Sequence, residues 1–257
     1  MRILVAVKQV VSLDEDHTLD GPVLQLDLSN SERELNNWDS YALEAGMRLA
    51  EQRDDAEVIV ATVGSQNADD VLVQCLAKGA ARAIRVEPHE LLDDPFAVAS
   101  RLAALARRED VDLVLCGVQA SDTGRAATGP ATAAALGASV CAVVRGLSWS
   151  ETGLELEREL EGGLRERIQL PLPAVVTVQT GSNQPRYANL RAIKQARAQP
   201  IEVVIDAELG VTEPSRRAAA VRALRPRVQG HRAQMLSGDV TDSADHVAEL
   251  IRSATGS

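Results

Sequence analysis

Apolar positions in this chain fall into short unbroken runs, separated by segments in which they recur every three to four residues. Residues 3–7, 57–63 (EVIVATV), 83–86 and 113–116 are runs with the length and bulk of buried parallel strands. Between them, the helical period predicts helices over 40–52, 67–77 and 94–107. The first has Tyr41, Leu43, Met47 and Ala50 near one face, the second stops at Gly79, and the third turns Phe96, Val98, Leu102 and Leu105 inward. Strands alternating with helices imply right-handed βαβ units, hence an α/β fold with a doubly wound parallel sheet covered on both faces. After residue 136 the pattern changes. Runs at 140–144, 154–160 and 167–170, separated by Gly-bearing turns at 151–153 and 161–163, predict an antiparallel meander with one wet face. The apolar run 174–178 can then rejoin the main sheet. Residues 8–27 form a polar excursion with His17, Gly21 and Pro22, and 23–28 alternate as a short hairpin. From residue 201 the βα rhythm is lost, through an Ala/Arg-rich stretch (211–228), a loop (230–239) and a last helix (243–252) containing His246. Such a tail is either an arm that orders on a partner or a small appended subdomain.

The stretch 112–136, DLVLCGVQASDTGRAATGPATAAAL, carries the first chemical signal. A buried strand runs into a loop of small and polar residues and then into an Ala-rich helix, with Thr128 placed to cap it and Pro130 near its first position. Unpaired N–H groups and the helix dipole make such a junction an anion site. The spacing Gly124 to Gly129 mimics the start of a Walker A loop, but Pro130 and Ala131 stand where Lys and Ser/Thr belong. A nucleotide held without hydrolysis is therefore expected, the alternative being an ordinary βα turn. In a parallel sheet ligands sit at the strands' carboxyl ends. Residues 6–8, 63–65 and 117–121 thus converge on one edge, and no GxGxxG follows the first strand. Just before the first helix, Leu35-Asn36-Asn37-Trp38-Asp39 gathers turn and capping residues. Asp39 or Ser40 caps that helix, or the two asparagines beside Trp38 bind a base or ribose.

Composition narrows the function. A net charge of −10 over 257 residues opposes nucleic-acid binding, which needs a basic face. Cys75, Cys116 and Cys141 are the three cysteines; widely spaced in apolar surroundings, they read as reduced packing residues and fit the cytoplasm. The N-terminal apolar run is too short for a signal peptide, and no run approaches the roughly 20 residues of a membrane span. The four histidines and the carboxylates show no metal-ligand spacing, and no HExxH, CxxC or GxSxG motif occurs. With two Trp, two Tyr and one Phe, the chain offers little to cradle a flat redox cofactor, which would need support from another chain. One basic segment, 179–200 (QTGSNQPRYANLRAIKQARAQP), stands out in this acidic protein. It is a contact for an acidic partner, or a surface helix with its own stripe of Leu190, Ile193 and Ala196.

Several blocks together resemble one family. MRILVAVKQV, LNNWDSYALEAGMRLAE, AKGAARAIRV, DLVLCGVQASDTGRAATG, RELEGG, LPAVVTVQ and, most specifically, PRYANLRAIKQA are similar to the β subunit of electron transfer flavoproteins, over residues 1–204 and more loosely to 238. The form NNWDSYAL resembles the bacterial branch linked to trimethylamine-type and dimethylglycine-type dehydrogenases. The resemblance implies a sheet like that of the adenine-nucleotide α-hydrolases, a cytoplasmic heterodimer with an α subunit, and an electron carrier rather than an enzyme. It implies that the α subunit makes most FAD contacts while this chain buries a structural AMP. The AMP site would comprise Ala6, Asn36, Asn37, Trp38, Asp39, Val63, Gly117, Val118, Gln119, Ala120, Ser121, Asp122, Thr123, Gly124, Arg125, Ala126, Ala127 and Thr128. Electrons would come from a flavoprotein dehydrogenase docking at Pro185, Arg186, Tyr187, Leu190, Ile193 and Lys194, with Leu190 as anchor, and would leave for a quinone-linked acceptor. Glu159 would contact the mobile flavin domain of the α subunit, and Leu13 marks the position near the flavin where the family often has Tyr. On this reading residues 1–200 are the AMP-binding α/β domain and 201–257 an arm wrapping the α subunit. The rival, a stand-alone adenine-nucleotide regulator of the universal-stress type, predicts neither the meander, the PRYANL block nor the tail.

Overall fold

Seven strands run parallel in the order β9-β12-β8-β1-β6-β7-β13, and an antiparallel pair, β10 and β11, extends the β9 edge. In chain order the strands are β1 (Arg2–Ala6), β2 (Gln9–Val11), β3 (Leu19–Asp20), β4 (Gln25–Leu26), β5 (Arg33–Leu35), β6 (Glu57–Val63), β7 (Arg82–Glu87), β8 (Leu113–Gly117), β9 (Ser139–Ser150), β10 (Gly153–Glu159), β11 (Arg165–Leu170), β12 (Ala174–Val178) and β13 (Ile201–Ile205). The helices are α1 (Asn37–Ala50), α2 (Asp69–Ala77), α3 (Pro95–Arg108), α4 (Thr128–Leu136), α5 (Leu190–Ala196), α6 (Asp206–Leu209) and α7 (Val240–Thr255). The computed structural model describes residues 1–12, 19–20, 25–26, 32–89, 94–211 and 235–255. Expectations for Leu13, His17, Gly21, Pro22, most of the 23–28 hairpin, residues 212–228 and His231 lie outside the described residues.

The period-2 alternation of β1 sorts its side chains onto the two faces. Ile3 and Val5 pack with Leu43, Met47, Val71 and Leu72 of α1 and α2, while Leu4 joins Leu105, Ala106 and Ala133 of α3 and α4. Both faces are thus covered by helices, which is why the strands read as unbroken apolar runs. Chain order moves outward from β1 through β6 and β7, then returns to β8 on the other side. The β1/β8 gap is therefore a switch point, where a crevice opens beyond the carboxyl ends of the strands.

β9 is longer than its apolar run suggests. Its first half pairs parallel with β12 and its second half antiparallel with β10. At the change of partner Val143 sits at φ 62 and its N–H donates to Thr177 Oγ1 at 2.9 Å. The meander presents charge outward, with ion pairs Arg158–Glu166 and Arg165–Glu157 across β10 and β11.

Several local expectations are corrected. α1 begins at Asn37, three residues early, and α2 is preceded by a 3₁₀ turn over Gln66–Ala68. Phe96 is 55% exposed: Ala97, Leu102 and Leu105 define the inward face of α3, and Phe96 in its first turn points away from it. Thr128 does not cap α4; the cap position is Ala127, and the Thr128 carbonyl accepts from Thr132 Oγ1. The βα rhythm continues past residue 201, because β13 forms an edge of the sheet and α6 follows it.

By chain contacts the molecule divides into two units, 1–18 with 26–222, and 19–25 with 223–257. In the second, α7 has Asp239 accepting from the N–H groups of Thr241 and Asp242, and none of its residues is buried. Val240, Val247 and Ile251 lie along one exposed stripe.

A buried ion pair ties α3 to α6. The Arg101 guanidinium donates to both Asp206 carboxylate oxygens at 2.8 and 2.7 Å, and the N–H of His89 adds a third bond at 2.9 Å. Removing one partner leaves the other charge buried and uncompensated. Asp206→Ala is expected to destabilise by about 3–5 kcal/mol in urea denaturation, and Arg101→Met/Asp206→Leu to recover most of the loss. A small effect of Asp206→Ala would show that water replaces the pair.

Candidate functional site: a crevice at the sheet switch point

Beyond the ends of β1, β6 and β8 lies a cleft of about 430 Å³. Ala6 and Lys8 follow from β1, Thr62 and Val63 from β6, and Cys116 and Gly117 from β8. The 118–127 loop and the start of α4 close one side, the start of α1 supplies Asn36 and Asp39, and α3 contributes Asp94, Val98 and Leu102.

Asp39 holds these parts together. Its two carboxylate oxygens accept from the N–H groups of Lys8 and Gly117, each at 2.8 Å, joining the ends of β1 and β8 to the first turn of α1. It is not the cap; the cap position is Asn36, whose side chain bonds the loop instead. Asn36 Nδ2 donates to the Gln119 carbonyl at 2.9 Å, and Asn36 Oδ1 accepts from Ser121 N–H at 3.2 Å. Lys8 Nζ spans to Asp122 Oδ1 at 2.7 Å, pinning the same loop from the β1 side. Gly124 (φ 58) and Ala126 (φ 50) take left-handed conformations, which turn the loop sharply into α4.

Two glycines are required by packing. A Cβ on Gly117 would lie 2.4 Å from Trp38 Cβ, and one on Gly129 would lie 2.4 Å from Thr177 Cγ2. At the start of α4, the N–H groups of Thr128 and Gly129 have no intrahelical acceptor, and Pro130 has no N–H at all. The cleft is thus lined both by the first residues of α4, with their backbone donors, and by the apolar Val63, Val98 and Leu102.

Of the residues expected at the site, Ala6, Asn36, Asp39, Val63, Gly117, Val118, Gln119, Ala120, Asp122, Thr123, Arg125, Ala126, Ala127 and Thr128 line the cleft. Ser121 and Gly124 shape its loop without lining it. Asn37 is exposed, and the Trp38 ring donates from Nε1 to Gln179 Oε1 at 3.2 Å. Lys8, placed at the converging edge but not among the expected AMP contacts, also lines the cleft, as do Thr62, Asp94 and Leu102, which the sequence does not place there. The strand-end rule points to Lys8, while the α3 residues enter only because that helix packs over the crevice.

Elsewhere, residues 185–194 divide by exposure. Tyr187 is 97% and Leu190 85% exposed, Ile193 and Pro185 are half-buried, and Lys194 is exposed. The α5 stripe therefore does not pack as a unit, since Ala196 is buried and Leu190 is not. Arg186 is drawn inward by Glu44 and Glu51 at 2.8 and 2.7 Å. Glu159 is paired with Arg145 of this chain. Among the described residues no cluster of three or more His, Cys, Asp or Glu can hold a metal ion, and no helix is long and apolar enough to cross a membrane.

A sequence profile of the electron transfer flavoprotein domain matches residues 23–209. The chain is 38% identical over 264 aligned positions to the electron transfer flavoprotein subunit beta of Methylophilus methylotrophus, covering all of both chains. It is 34% identical to that of Bradyrhizobium diazoefficiens (86% of this chain, 93% of the relative) and 36% to that of Homo sapiens (82% and 84%). The chain belongs to the electron transfer flavoprotein β-subunit family. This places it among electron transfer flavoprotein chains that are named as one subunit of a larger protein.

Burial pushes the Asp39 carboxyl up to about 6, against the lowering effect of the N–H groups of Gly117 and Lys8, Asn36 and the Lys8 charge. Its stabilising contribution is thus complete below the ordinary value of 3.8 and is lost as pH rises through about 6. The Asp39 carboxyl carbon is expected to titrate in NMR with a midpoint near 6 in the ligand-free chain, and Asp39→Asn to flatten the pH dependence of stability in that window. A midpoint near 4 would contradict the dry environment assigned to this carboxylate.

Proposed function

We propose that this chain is the AMP-holding half of a heterodimeric electron transfer flavoprotein, acting in the cytoplasm with an α subunit that carries most of the FAD contacts. The observation that carries the AMP reading is the crevice itself. Free N–H groups of Thr128 and Gly129 suit a phosphate, the apolar Val63, Val98 and Leu102 suit a base, and no lysine or hydroxyl stands on α4 where a hydrolase would need them. Asp39 and Asn36 keep the strand ends and the loop in the shape that presents those donors. The nucleotide would serve as a structural ligand, adding stability by mass action because it binds only the folded state.

FAD, when bound, supplies the one- and two-electron chemistry of the carrier. The two indole rings of this chain are engaged within it: Trp38 is bonded to Gln179, and Trp149 donates to the Leu49 carbonyl beneath the Arg53 guanidinium. That leaves most of the flavin cradle to the α subunit, with Glu159 and the Leu13 region as contacts from this side. Tyr187 and Leu190 project from an ordered segment, a fit for anchors that insert into a flavoprotein dehydrogenase of the dimethylglycine or trimethylamine type. Residues 201–257 would extend the contact with the α subunit, and electrons would pass on to a quinone-linked acceptor.

Two experiments test this reading. Denaturing the co-purified heterodimer and chromatographing the supernatant is expected to release about one AMP per FAD; FAD without AMP would overturn the crevice assignment. Leu190→Ala is expected to lower kcat/KM for reduction by the donor dehydrogenase roughly tenfold, equivalent to about 1.4 kcal/mol, with flavin and AMP content unchanged. Unaltered kinetics would remove the docking role.

A further inference from the structure

α1 has a polar stripe as regular as its apolar face. Tyr41, Glu44, Arg48 and Glu51 recur at intervals of three, four and three, and all four meet residues 183–186. Asn183 Nδ2 donates to the Tyr41 carbonyl at 2.9 Å, and Arg48 Nη2 to the Gln184 carbonyl at 3.4 Å. Glu44 is the centre of the stripe. Its carboxylate accepts Arg186 N–H at 3.1 Å, Arg186 Nε at 2.8 Å, Arg186 Nη2 at 3.3 Å and Arg48 Nε at 2.8 Å. Arg186 Nη1 reaches on to Glu51 at 2.7 Å. The Glu44 side chain is 5% exposed, whereas Tyr187, the next residue after Arg186, is 97% exposed.

We propose that Glu44 is a positioning residue for partner docking: by gripping both the backbone and the guanidinium of Arg186, it fixes the direction in which Tyr187 and Leu190 project. The inference rests on the reading of that segment as the docking surface. A carboxylate buried for stability alone would be a poor choice, since its desolvation offsets much of what the ion pair contributes. A grip on the backbone N–H as well as on the side chain is what orders a segment. Ordering it before the encounter spares the complex that cost on association. The two arginines also hold Glu44 ionised, below the ordinary carboxylate range, against the opposing effect of burial, so the grip persists into mild acid.

The test uses the FAD- and AMP-loaded heterodimer, with a dimethylglycine dehydrogenase, or another flavoprotein dehydrogenase that reduces the wild type, as donor. Glu44→Gln is expected to speed amide hydrogen exchange of residues 185–193 at least tenfold, leaving β1 and β8 protected. It is expected to raise the KM for the carrier about tenfold at unchanged kcat, with AMP and FAD retained. Glu51→Gln, which removes only the exposed end of the clamp, is expected to give about a threefold KM change and stands in if Glu44→Gln does not fold. Unchanged exchange or unchanged KM would overturn the inference. Leu190→Ala run in parallel separates the two failures: if it slows reduction and the Glu44 variant does not, the positioning role alone falls. If Leu190→Ala has no effect, the docking reading falls and takes this role with it.

Discussion

Two strand ends in the middle of the sheet finish on buried N–H groups at the crevice, and a single carboxylate answers both. Asp39 accepts from Lys8 after β1 and from Gly117 at the end of β8. An unpaired buried N–H costs about 1–3 kcal/mol, so without this side chain the switch point would carry two such defects beside its crevice. Because Asp39 lies in the first turn of α1, the same bonds fix where that helix starts and how closely Trp38 approaches Gly117. Asn36, one residue outside the helix, then ties down the loop at Gln119 and Ser121. Strand ends, helix and loop are thus registered to one another by four bonds to the side chains of Asp39 and Asn36.

α1 transmits that registration along its length. Its apolar face packs on Ile3, Val5 and the neighbouring core, its first turn borders the crevice, and its polar stripe receives residues 183–186. One rigid element therefore sets the geometry of the switch-point crevice and of the exposed Tyr187–Leu190 segment. Elements of this kind suit a subunit whose task is to hold surfaces in fixed relation, since a site on a helix is held more tightly than one on a loop.

The parts legible in the sequence were those governed by local pattern. β1, β6 and β8 announce themselves as apolar runs, and the strand-end rule places 6–8, 63 and 117 at one edge before any coordinates are known. The illegible parts depend on contacts between distant residues. Asp39 looks like a helix cap because its neighbours are turn formers, yet its partners lie 31 and 78 positions away. Lys8 and Asp122 are separated by 114 residues, and nothing near either predicts their pairing. Nothing in the helical pattern around Glu44 marks its partner, Arg186, which lies 142 residues later. Phe96 departs from the pattern for the opposite reason: it is large and apolar, yet it lies off the inward stripe of α3 and is 55% exposed.

The charged meander has a consequence for the life of the subunit before assembly. An open sheet edge offers unpaired N–H and C=O groups to any strand it meets, and a flat apolar edge recruits copies of itself. Here the β9 side of the parallel sheet is closed by the meander and ends on β11, where exposed Arg165, Arg167 and Gln169 alternate with less exposed residues. The cross-strand pairs to β10 hold that charge in place. At that edge the chain shows its neighbours a charged surface that repels strand addition, whereas the opposite edge, β13, leaves Val203 and Ile205 exposed and depends on other cover against such pairing.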